Sequence, residues 1–385
     1  MPHIKVKPFD TNRLDSLKDI KFRGKKEGGN SEIILLKKKN TPILLDIIKR
    51  ESEYLIKPNK VGRIANTHLL KESLNSLAKE LELEVILSNT AIRPTKVEPK
   101  SEFLKSIEDF YDFKSSFSNI KLEIGFGSGR HLLYQAQKEP ETLFIGVEIH
   151  TPSINQLLKQ IALKEIKNIY VVNYDARLLL EMLPSNILDT IYIHFPVPWD
   201  KKEHRRVLNS LFVDTAIRVL KKGGKIELRT DSINYYKYAL ELFSEPKRGV
   251  FLVEKNIDIE VSSKYEDRWK RMNKDIYTIS FYSLENSKDL KMDIEFGFEK
   301  GYNLNRELPK EAIVKEDYFV HFGDIFKGVK EGSYLVEVSF GSFNMPEKKF
   351  IYIDGESVSY LPTNPVKSFA NYKADKLIKE VLENG

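Results

Sequence analysis

The sequence predicts an α/β protein built around a doubly wound, mainly parallel, Rossmann-like sheet, with a small αβ domain before it and a mainly β domain after it. Its 385 residues exceed what one hydrophobic core usually serves, so two or three domains are expected. Apolar runs alternate with helical periodicity only in the middle of the chain, from about residue 118 to residue 230. The two ends differ from this centre and from each other.

The first segment, residues 1–100, is predicted to be a basic αβ domain. Leucines spaced by three and four residues between Leu70 and Leu81 indicate a helix, and short apolar runs near residues 4–9 and 32–38 indicate strands. Two prolines mark a boundary near its end. Because the segment carries 21 Lys and Arg against 13 Asp and Glu, we expect it to contact a polyanion such as RNA.

The second segment, residues 101–285, carries the alternation. Helical periodicity, as between Ile154 and Ile161, separates short apolar strands, which is typical of a parallel sheet with crossover connections. Two later strand-like stretches, 251–261 and 276–282, predict a closing antiparallel hairpin. The five predicted parallel strands are Ile120–Ile124, Leu143–Val147, Ile169–Asn173, Thr190–His194 and Gly224–Leu228.

The third segment, residues 286–385, is predicted to be a separate, mainly β domain that ends in a helix over 366–382. Nothing in it matches a motif with a known role. The chain has no cysteine and no apolar run long enough to span a membrane, so we expect a cytoplasmic protein without disulfides. Its seven histidines show no close pair at metal-ligand spacing, so no metal is expected, and no phosphate-binding P-loop motif occurs.

A glycine-rich turn follows the first predicted strand of the central domain. It reads Leu-Glu-Ile-Gly-Phe-Gly-Ser-Gly-Arg over residues 122–130, and Gly125 and Gly127 let the backbone turn tightly and approach a ligand at the start of a helix. The spacing differs from the G-x-G-x-x-G of dinucleotide sites. Taken alone, the motif is also compatible with a plain strand-to-helix turn.

Acidic residues end the next two predicted strands. Glu148 follows the second strand, where an acid meets ribose hydroxyls in such folds, and Asp175 follows the third, where it can accept from an adenine amino group. Glu123 would repel a phosphate but suits a sulfonium and an amino group. This order favours S-adenosylmethionine over NAD as the cofactor, held by Glu123, Gly125, Gly127, Glu148 and Asp175. Either of the last two acids, taken alone, could instead be a solvated side chain or a helix cap.

The loop after the fourth strand, residues 194–206, interleaves aromatic, proline and basic residues. Two prolines fix its backbone at the edge of the sheet where ligands bind, and Phe195 and Trp199 offer faces on which a base could stack. The alternative is that Phe195 belongs to the core and that the basic run is a solvated helix start. Four cations within six residues are candidates for binding phosphate: Lys201, Lys202, Arg205 and Arg206.

Together these motifs resemble the bacterial tRNA (guanine-N7-)-methyltransferase family over about residues 118–284. The resemblance implies methyl transfer from S-adenosylmethionine to N7 of the variable-loop guanine at position 46 of tRNA. It also implies substrate contacts from Lys201, Asp231 and the run Ser263 to Glu266. Besides the glycine-rich turn, it rests on Gly-Val-Glu-Ile-His, Asp175-Ala176, Phe-Pro-x-Pro-Trp-x-Lys with His-Arg-Arg after it, Arg229-Thr230-Asp231 and Ser263-Lys264-Tyr265-Glu266.

The chain departs from the family at Val197, where an Asp usually stands between the two prolines. Neutral guanine N7 bears a lone pair and no proton, so its attack on a methyl group requires no general base. The site must align the reacting atoms and offset the positive charge that forms on the base. Asp231 and Glu266 are the candidate catalytic residues for these tasks.

Two other functions stay open at this point. A methyltransferase for an exocyclic base amine is one, because Pro-Val-Pro-Trp loosely resembles the Pro-Pro-aromatic loop of adenine-N6 enzymes, although Phe195 stands where such a loop needs Asn or Asp. A non-catalytic RNA-binding protein with a degenerate methyltransferase domain is the other, motivated by Val197. The sequence does not reveal the oligomeric state.

Overall fold

The chain forms two compact units in the computed structural model. One unit consists of Met1–Pro94 together with Asp293–Gly385, and the other of Thr95–Met292. Within the part of the chain that is described, no helix is long and apolar enough to cross a membrane. The structure describes residues 2–61, 66–92, 97, 99–261, 264–290, 293–299, 301–302, 304, 307–355 and 357–384.

The first unit begins with six strands and one helix. The helix, α1 (Thr67–Glu80), starts where Asn66 accepts a hydrogen bond from the Leu69 backbone N–H at 3.0 Å, and its buried leucines pack on the sheet. The helix predicted from the leucine spacing is therefore present. The strands are β1 (Ile4–Val6), β2 (Ile20–Lys26), β3 (Ser31–Lys38), β4 (Thr41–Lys49), β5 (Tyr54–Pro58) and β6 (Val85–Ser88).

The second unit is a sheet of eight strands covered by helices. Its strands are β7 (Leu104–Lys105), β8 (Asn119–Ile124), β9 (Thr142–Val147), β10 (Ile169–Val172), β11 (Leu188–His194), β12 (Leu220–Thr230), β13 (Gly249–Lys255) and β14 (Tyr277–Ser283). Its helices are α2 (Arg130–Lys138), α3 (Thr151–Leu163), α4 (Ala176–Met182), α5 (Ser210–Val219), α6 (Ile233–Ser244) and α7 (Lys264–Arg271).

The strand order of this sheet is β13-β14-β12-β11-β8-β9-β10-β7. Strands β7 to β12 run parallel, and β14 and β13 close the sheet as an antiparallel pair. The α/β fold class, the Rossmann-like sheet and the late hairpin are confirmed. After β8 the chain proceeds to β9 and β10 on one side and returns to β11 and β12 on the other. Ligands bind at such a switch point, outside the carboxyl ends of the strands.

The chain then returns to the first unit through β15 (Ile313–Val314), β16 (Phe319–Gly328), β17 (Ser333–Gly341), β18 (Pro346–Asp354), β19 (Ser357–Leu361) and α8 (Phe369–Asn384). Strand β16 pairs antiparallel with β2, with Lys327 opposite Lys25 and Gly328 opposite Gly24. The two ends of the chain thereby share one sheet of eleven strands. They also share a core in which Phe22 and Phe326 are both buried.

The structure therefore differs from the expected division at residues 1–100, 101–285 and 286–385. Its physical reason is the β2–β16 pairing, which joins segments about three hundred residues apart and leaves no local trace in the sequence. The joined unit carries 31 Lys and Arg against 28 Asp and Glu. The basic excess of the first segment is thus largely offset by the acidic segment in the same sheet.

Candidate active site

The glycine-rich turn lies directly after β8, at the switch point of the sheet. Gly125 and Gly127 have φ values of +69° and +53°, which side chains rarely adopt, and the space where their Cβ atoms would stand is open. Gly125 donates its N–H to the Val147 carbonyl at 2.8 Å, which ties the turn to the end of β9. The turn therefore presents bare backbone beside the N-terminus of α2, as the sequence predicted.

Glu148 faces this turn from the end of β9. One carboxylate oxygen accepts from the Gly127 N–H at 3.0 Å, and the other accepts from the Ile149 and His150 N–H groups at 2.8 and 3.0 Å. The side chain of Asn173, which follows β10, donates to the Glu148 carbonyl at 2.8 Å. These bonds orient the carboxylate on the glycine turn and link the loops after three adjacent strands.

Asp175 is engaged within its own segment. It caps α4 by accepting from the Arg177 N–H at 2.9 Å, and its two oxygens receive the Arg177 guanidinium at 3.0 and 2.6 Å. Burial lowers the pKa of Arg177, but Asp175 outweighs that effect and raises it. The helix-cap alternative describes the contacts of Asp175, and a role toward adenine stays a prediction.

Glu123 is buried at the end of β8, with 4% of its surface exposed. It pairs with Nδ1 of His131 on α2 at 2.8 Å. Burial lowers the pKa of His131, but the charge and hydrogen bond of Glu123 outweigh that effect, so the pKa is raised above its usual value. The predicted cofactor acid therefore has a partner on α2, the helix that follows the glycine turn, and the sequence did not reveal it.

The Glu123–His131 pair belongs to a buried polar layer on the central strands. The rings of His131 and His194 lie 4.6 Å apart, and His194 Nε2 contacts Glu227 at 2.9 Å. Burial lowers the pKa of His194. Burial alone would raise the pKa of Glu227, but His194 and Lys225 lower it overall. Two carboxylates and two imidazoles thus lie together on the central strands and α2, and Lys225 adds a cation 2.7 Å from Glu227.

The loop after β11 has a strained backbone. Phe195 and Trp199 both adopt left-handed φ values, +50° and +47°, on either side of two prolines. The Phe195 N–H donates to the Arg229 carbonyl at 2.7 Å, which fixes the start of the loop on β12. Val197 and Trp199 are 60% and 36% exposed. The loop therefore presents a valine and an indole at the edge of the sheet.

The four predicted phosphate-binding cations divide into two kinds. Lys201, Lys202 and Arg205 are exposed, and the Arg205 guanidinium lies 5.2 Å from the centre of the Trp199 ring. Arg206, however, is 2% exposed and donates from Nε to the Pro198 carbonyl at 2.8 Å. The structure contradicts its predicted contact with phosphate, because its guanidinium is buried and bonded within the unit.

Asp231 immediately follows β12. Strand β12 pairs in parallel with β11, so Asp231 lies at the same edge of the sheet as the Phe195–Trp199 loop. Its carboxylate contacts Lys274 Nζ at 2.8 Å, and the side chain is 19% exposed. The same ammonium lies 3.9 Å from the centre of the Trp269 ring. Asp231 is thus partly exposed and balanced by a lysine, a partner that the sequence did not reveal.

Glu266 lies on α7 and is 1% exposed. Its carboxylate receives Nη2 of Arg229 at 2.9 Å and lies 3.3 Å from Lys270 Nζ. Arg229 is equally buried and donates from Nη1 to Thr278 at 2.8 Å. The structure places Glu266 in an internal ion pair that fastens α7 to the sheet, a setting that differs from direct contact with RNA. Ser263 lies outside the described residues.

The structure thus gathers the glycine turn, Glu148 and Glu123 on one side of the switch point and the Trp199 loop and Asp231 on the other. The partners His131, Arg177, Arg229 and Lys274 were missed. A signal existed for one of them: Arg229 is a charge inside a strand that otherwise alternates with buried apolar residues, and a buried cation requires a carboxylate. Among the described residues, no group of three or more acids or histidines could hold a metal.

The residues on the cofactor side fit an adenosyl group better than a pyrophosphate. Bare backbone at Gly125 and Gly127 allows close approach, and the Glu148 carboxylate at the same turn can accept from ribose hydroxyls. A phosphate at this place would meet that negative charge. The open glycine turn and the carboxylate acceptor therefore match S-adenosylmethionine.

Known proteins resemble this chain over most of its length. A family model described as a putative methyltransferase matches residues 118–279. A tRNA (guanine-N(7)-)-methyltransferase of Wolinella succinogenes is 40% identical over 338 residues, covering 86% of each chain. Its counterpart in Campylobacter fetus is 37% identical and covers 95% of this chain and 97% of its own. The one in Helicobacter acinonychis is 39% identical over 88% of this chain and 85% of its own. The matched lengths take in both units, so the chain belongs to the tRNA (guanine-N(7)-)-methyltransferase family.

Proposed function

We propose that this protein transfers the methyl group of S-adenosylmethionine to N7 of a guanine in tRNA, at variable-loop position 46. The proposal depends on one observation: two sets of features meet at the same switch point. One is the open glycine turn faced by Glu148, and the other is the Trp199 loop with Asp231. The family relationship supplies the substrate class. A tRNA substrate supports a cytoplasmic location for the protein.

The chemistry asks little of the side chains. S-adenosylmethionine supplies an electrophilic methyl group, and neutral guanine N7 attacks through a lone pair without releasing a proton. The bond from N7 to the methyl carbon forms as the bond from carbon to sulfur breaks, and the base becomes a cation. Trp199 can stack on the base, and the Asp231 carboxylate can offset its new charge. Alignment, not proton transfer, is therefore the main contribution of the protein.

Val197 is compatible with this mechanism. At 60% exposure it sits at the tip of the loop, where it can contact the base but can neither move a proton nor carry a charge. Since N7 needs no base, the absence of the usual Asp does not by itself remove activity. No observation in the structure favours the exocyclic-amine reaction or the non-catalytic reading over this one.

The test is methyl transfer to an unmodified tRNA transcript with labelled S-adenosylmethionine, followed by nuclease digestion and mass spectrometry. We expect 7-methylguanosine at position 46. A matched transcript with 7-deazaguanosine at that position lacks the nitrogen and should accept no label. Label on an exocyclic amine would favour a methyltransferase for that amine, and tRNA binding without transfer would favour a non-catalytic RNA-binding protein.

A further inference from the structure

Arg206 is a buried cation that the proposed chemistry does not use. Its guanidinium contacts Glu203 at 3.1 Å and Asp200 at 3.6 Å, and Nε donates to the Pro198 carbonyl at 2.8 Å. An arginine this buried is stable only when its charge and its donors are matched. Here they are matched by the loop that presents Trp199, so the side chain and the loop depend on each other.

The flat face of Arg206 lies on a different element. Its guanidinium carbon is 4.4 Å from the centre of the Tyr238 ring and 5.5 Å from that of Tyr235, both on α6. The two tyrosine hydroxyls also hold Leu208: one accepts from its N–H at 3.4 Å and the other donates to its carbonyl at 3.2 Å. The residue Leu208, which follows the loop, is therefore hydrogen-bonded to α6 through both its N–H and its carbonyl.

Helix α6 begins two residues after Asp231, where the Ser232 hydroxyl caps it by accepting from the Tyr235 N–H at 3.2 Å. Arg206 thus joins the loop that carries Trp199 to the helix that follows Asp231. At its other end the same loop is tied to β12 by the bond from the Phe195 N–H to the Arg229 carbonyl. The loop is therefore held to β12 at one end and to α6 at the other, the two elements that Asp231 and Ser232 connect.

We propose that Arg206 is a positioning residue, which fixes the spacing between the Trp199 loop and Asp231 so that guanine N7 is aligned for attack. This inference rests on the proposed function. Prolines and left-handed residues restrict the backbone of the loop itself, whereas Arg206 spans from the Pro198 carbonyl to the Tyr238 ring on α6. A lysine at position 206 has one ammonium and no planar face, so it cannot bond the Pro198 carbonyl, meet two carboxylates and cover Tyr238 together.

The experiment compares Arg206→Lys with Arg205→Lys and with Arg248→Lys, an exposed arginine elsewhere in the same unit. Steady-state transfer to tRNA gives kcat and KM, and calorimetry gives the affinity for S-adenosylmethionine. For Arg206→Lys we expect kcat to fall by roughly ten-fold or more, with KM and cofactor affinity changed by less than about three-fold. Arg205→Lys should chiefly raise KM for tRNA, and Arg248→Lys should match the wild type.

A spectroscopic measurement separates positioning from general destabilisation. Trp199 and Trp269 are the two tryptophans, so in a Trp269→Phe background the emission comes from Trp199 alone. Arg206→Lys should increase acrylamide quenching of Trp199 while the melting temperature stays near that of the background. Unchanged quenching, or unchanged kcat, would overturn the proposal, as would a parallel loss of kcat, cofactor affinity and melting temperature. If the wild type fails to methylate tRNA, the proposed function fails, and the quenching still decides whether Arg206 holds the loop.

Discussion

The two sides of the switch point are held together in different ways. On the cofactor side, Glu148 accepts from the Gly127 N–H and Asn173 donates to the Glu148 carbonyl, and the charged pairs, Glu123 with His131 and Asp175 with Arg177, join residues close in sequence. On the substrate side, charged side chains bond to one another, as in Arg229 with Glu266 and Lys274 with Asp231. The cofactor-side contacts join residues 2 to 25 apart in sequence, and the substrate-side pairs join residues 37 and 43 apart.

On the substrate side, the buried ion pair and the more exposed one should have different roles, the first in stability and the second in the reaction. A buried ion pair contributes mainly when one partner is removed, since the other is then left charged in the interior. An accessible pair such as Lys274 with Asp231 contributes little to stability and can exchange its partner for a ligand. Glu266 and Asp231, the two catalytic candidates that the sequence offers, should therefore respond differently to substitution.

The largest effect is expected from Glu266→Ala. It leaves the Arg229 guanidinium uncompensated at 1% exposure, so the free energy of unfolding of the second unit should fall by about 3–5 kcal/mol. Glu266→Gln keeps an acceptor for Arg229 and should cost clearly less. Urea unfolding of both variants checks this. A Gln variant that is stable but inactive would instead return Glu266 to a direct role in the reaction.

Asp231→Ala should act on turnover. Removing the carboxylate that offsets the cationic base should lower kcat by about 10²-fold, whereas Val197→Ala should change it by less than about three-fold and Val197→Asp should stay active. Single-turnover transfer to tRNA measures this. Lys274→Met is the matched control: if it reproduces the Asp231→Ala loss, Asp231 acts only by holding the lysine.

Glu148→Ala should weaken cofactor binding. It removes a charge-assisted acceptor for ribose hydroxyls and releases the Gly127 N–H, so the binding free energy should drop by roughly 1.5–3 kcal/mol. Asp175→Asn keeps the helix cap and should show a smaller loss, since Arg177 already occupies that carboxylate. Calorimetric titration with S-adenosylmethionine compares the two. Equal losses would mean that Arg177 swings away in the complex, and NAD binding by the wild type would exclude the assigned cofactor class.

The same distinction explains what the sequence could predict. The parallel strands, the glycine turn and the position of Glu148 follow from short-range periodicity and from turn chemistry, and each is present. The environment of Arg206 could not be predicted in this way. In the sequence it is the last of four cations within six residues, and only the fold reveals that it packs on Tyr238. The pairing of β2 with β16 is invisible for the same reason, since it joins distant segments by backbone bonds that any residues can make.

That pairing also changes how the first segment can be tested. Strands β1 to β3 lie inside the eleven-stranded sheet, so deleting residues 1–40 would destroy the unit instead of removing charge. The expectation that this segment contacts tRNA must be tested with exposed lysines. Lys25 and Lys39 have side chains that are 66% and 75% exposed.

The smallest effect is expected from the double variant Lys25→Gln with Lys39→Gln. The first unit carries 31 cations against 28 anions, so its attraction for RNA is weak and local, and tRNA affinity should fall only about two- to five-fold with kcat unchanged. Each lost phosphate contact should make the plot of log affinity against log salt shallower by up to about 0.9. Lys330→Gln, equally exposed at 72% but in the acidic segment, is the control and should leave the slope unchanged. If the double variant and the control behave alike, the basic segment does not reach the RNA, and the substrate is held by the second unit alone.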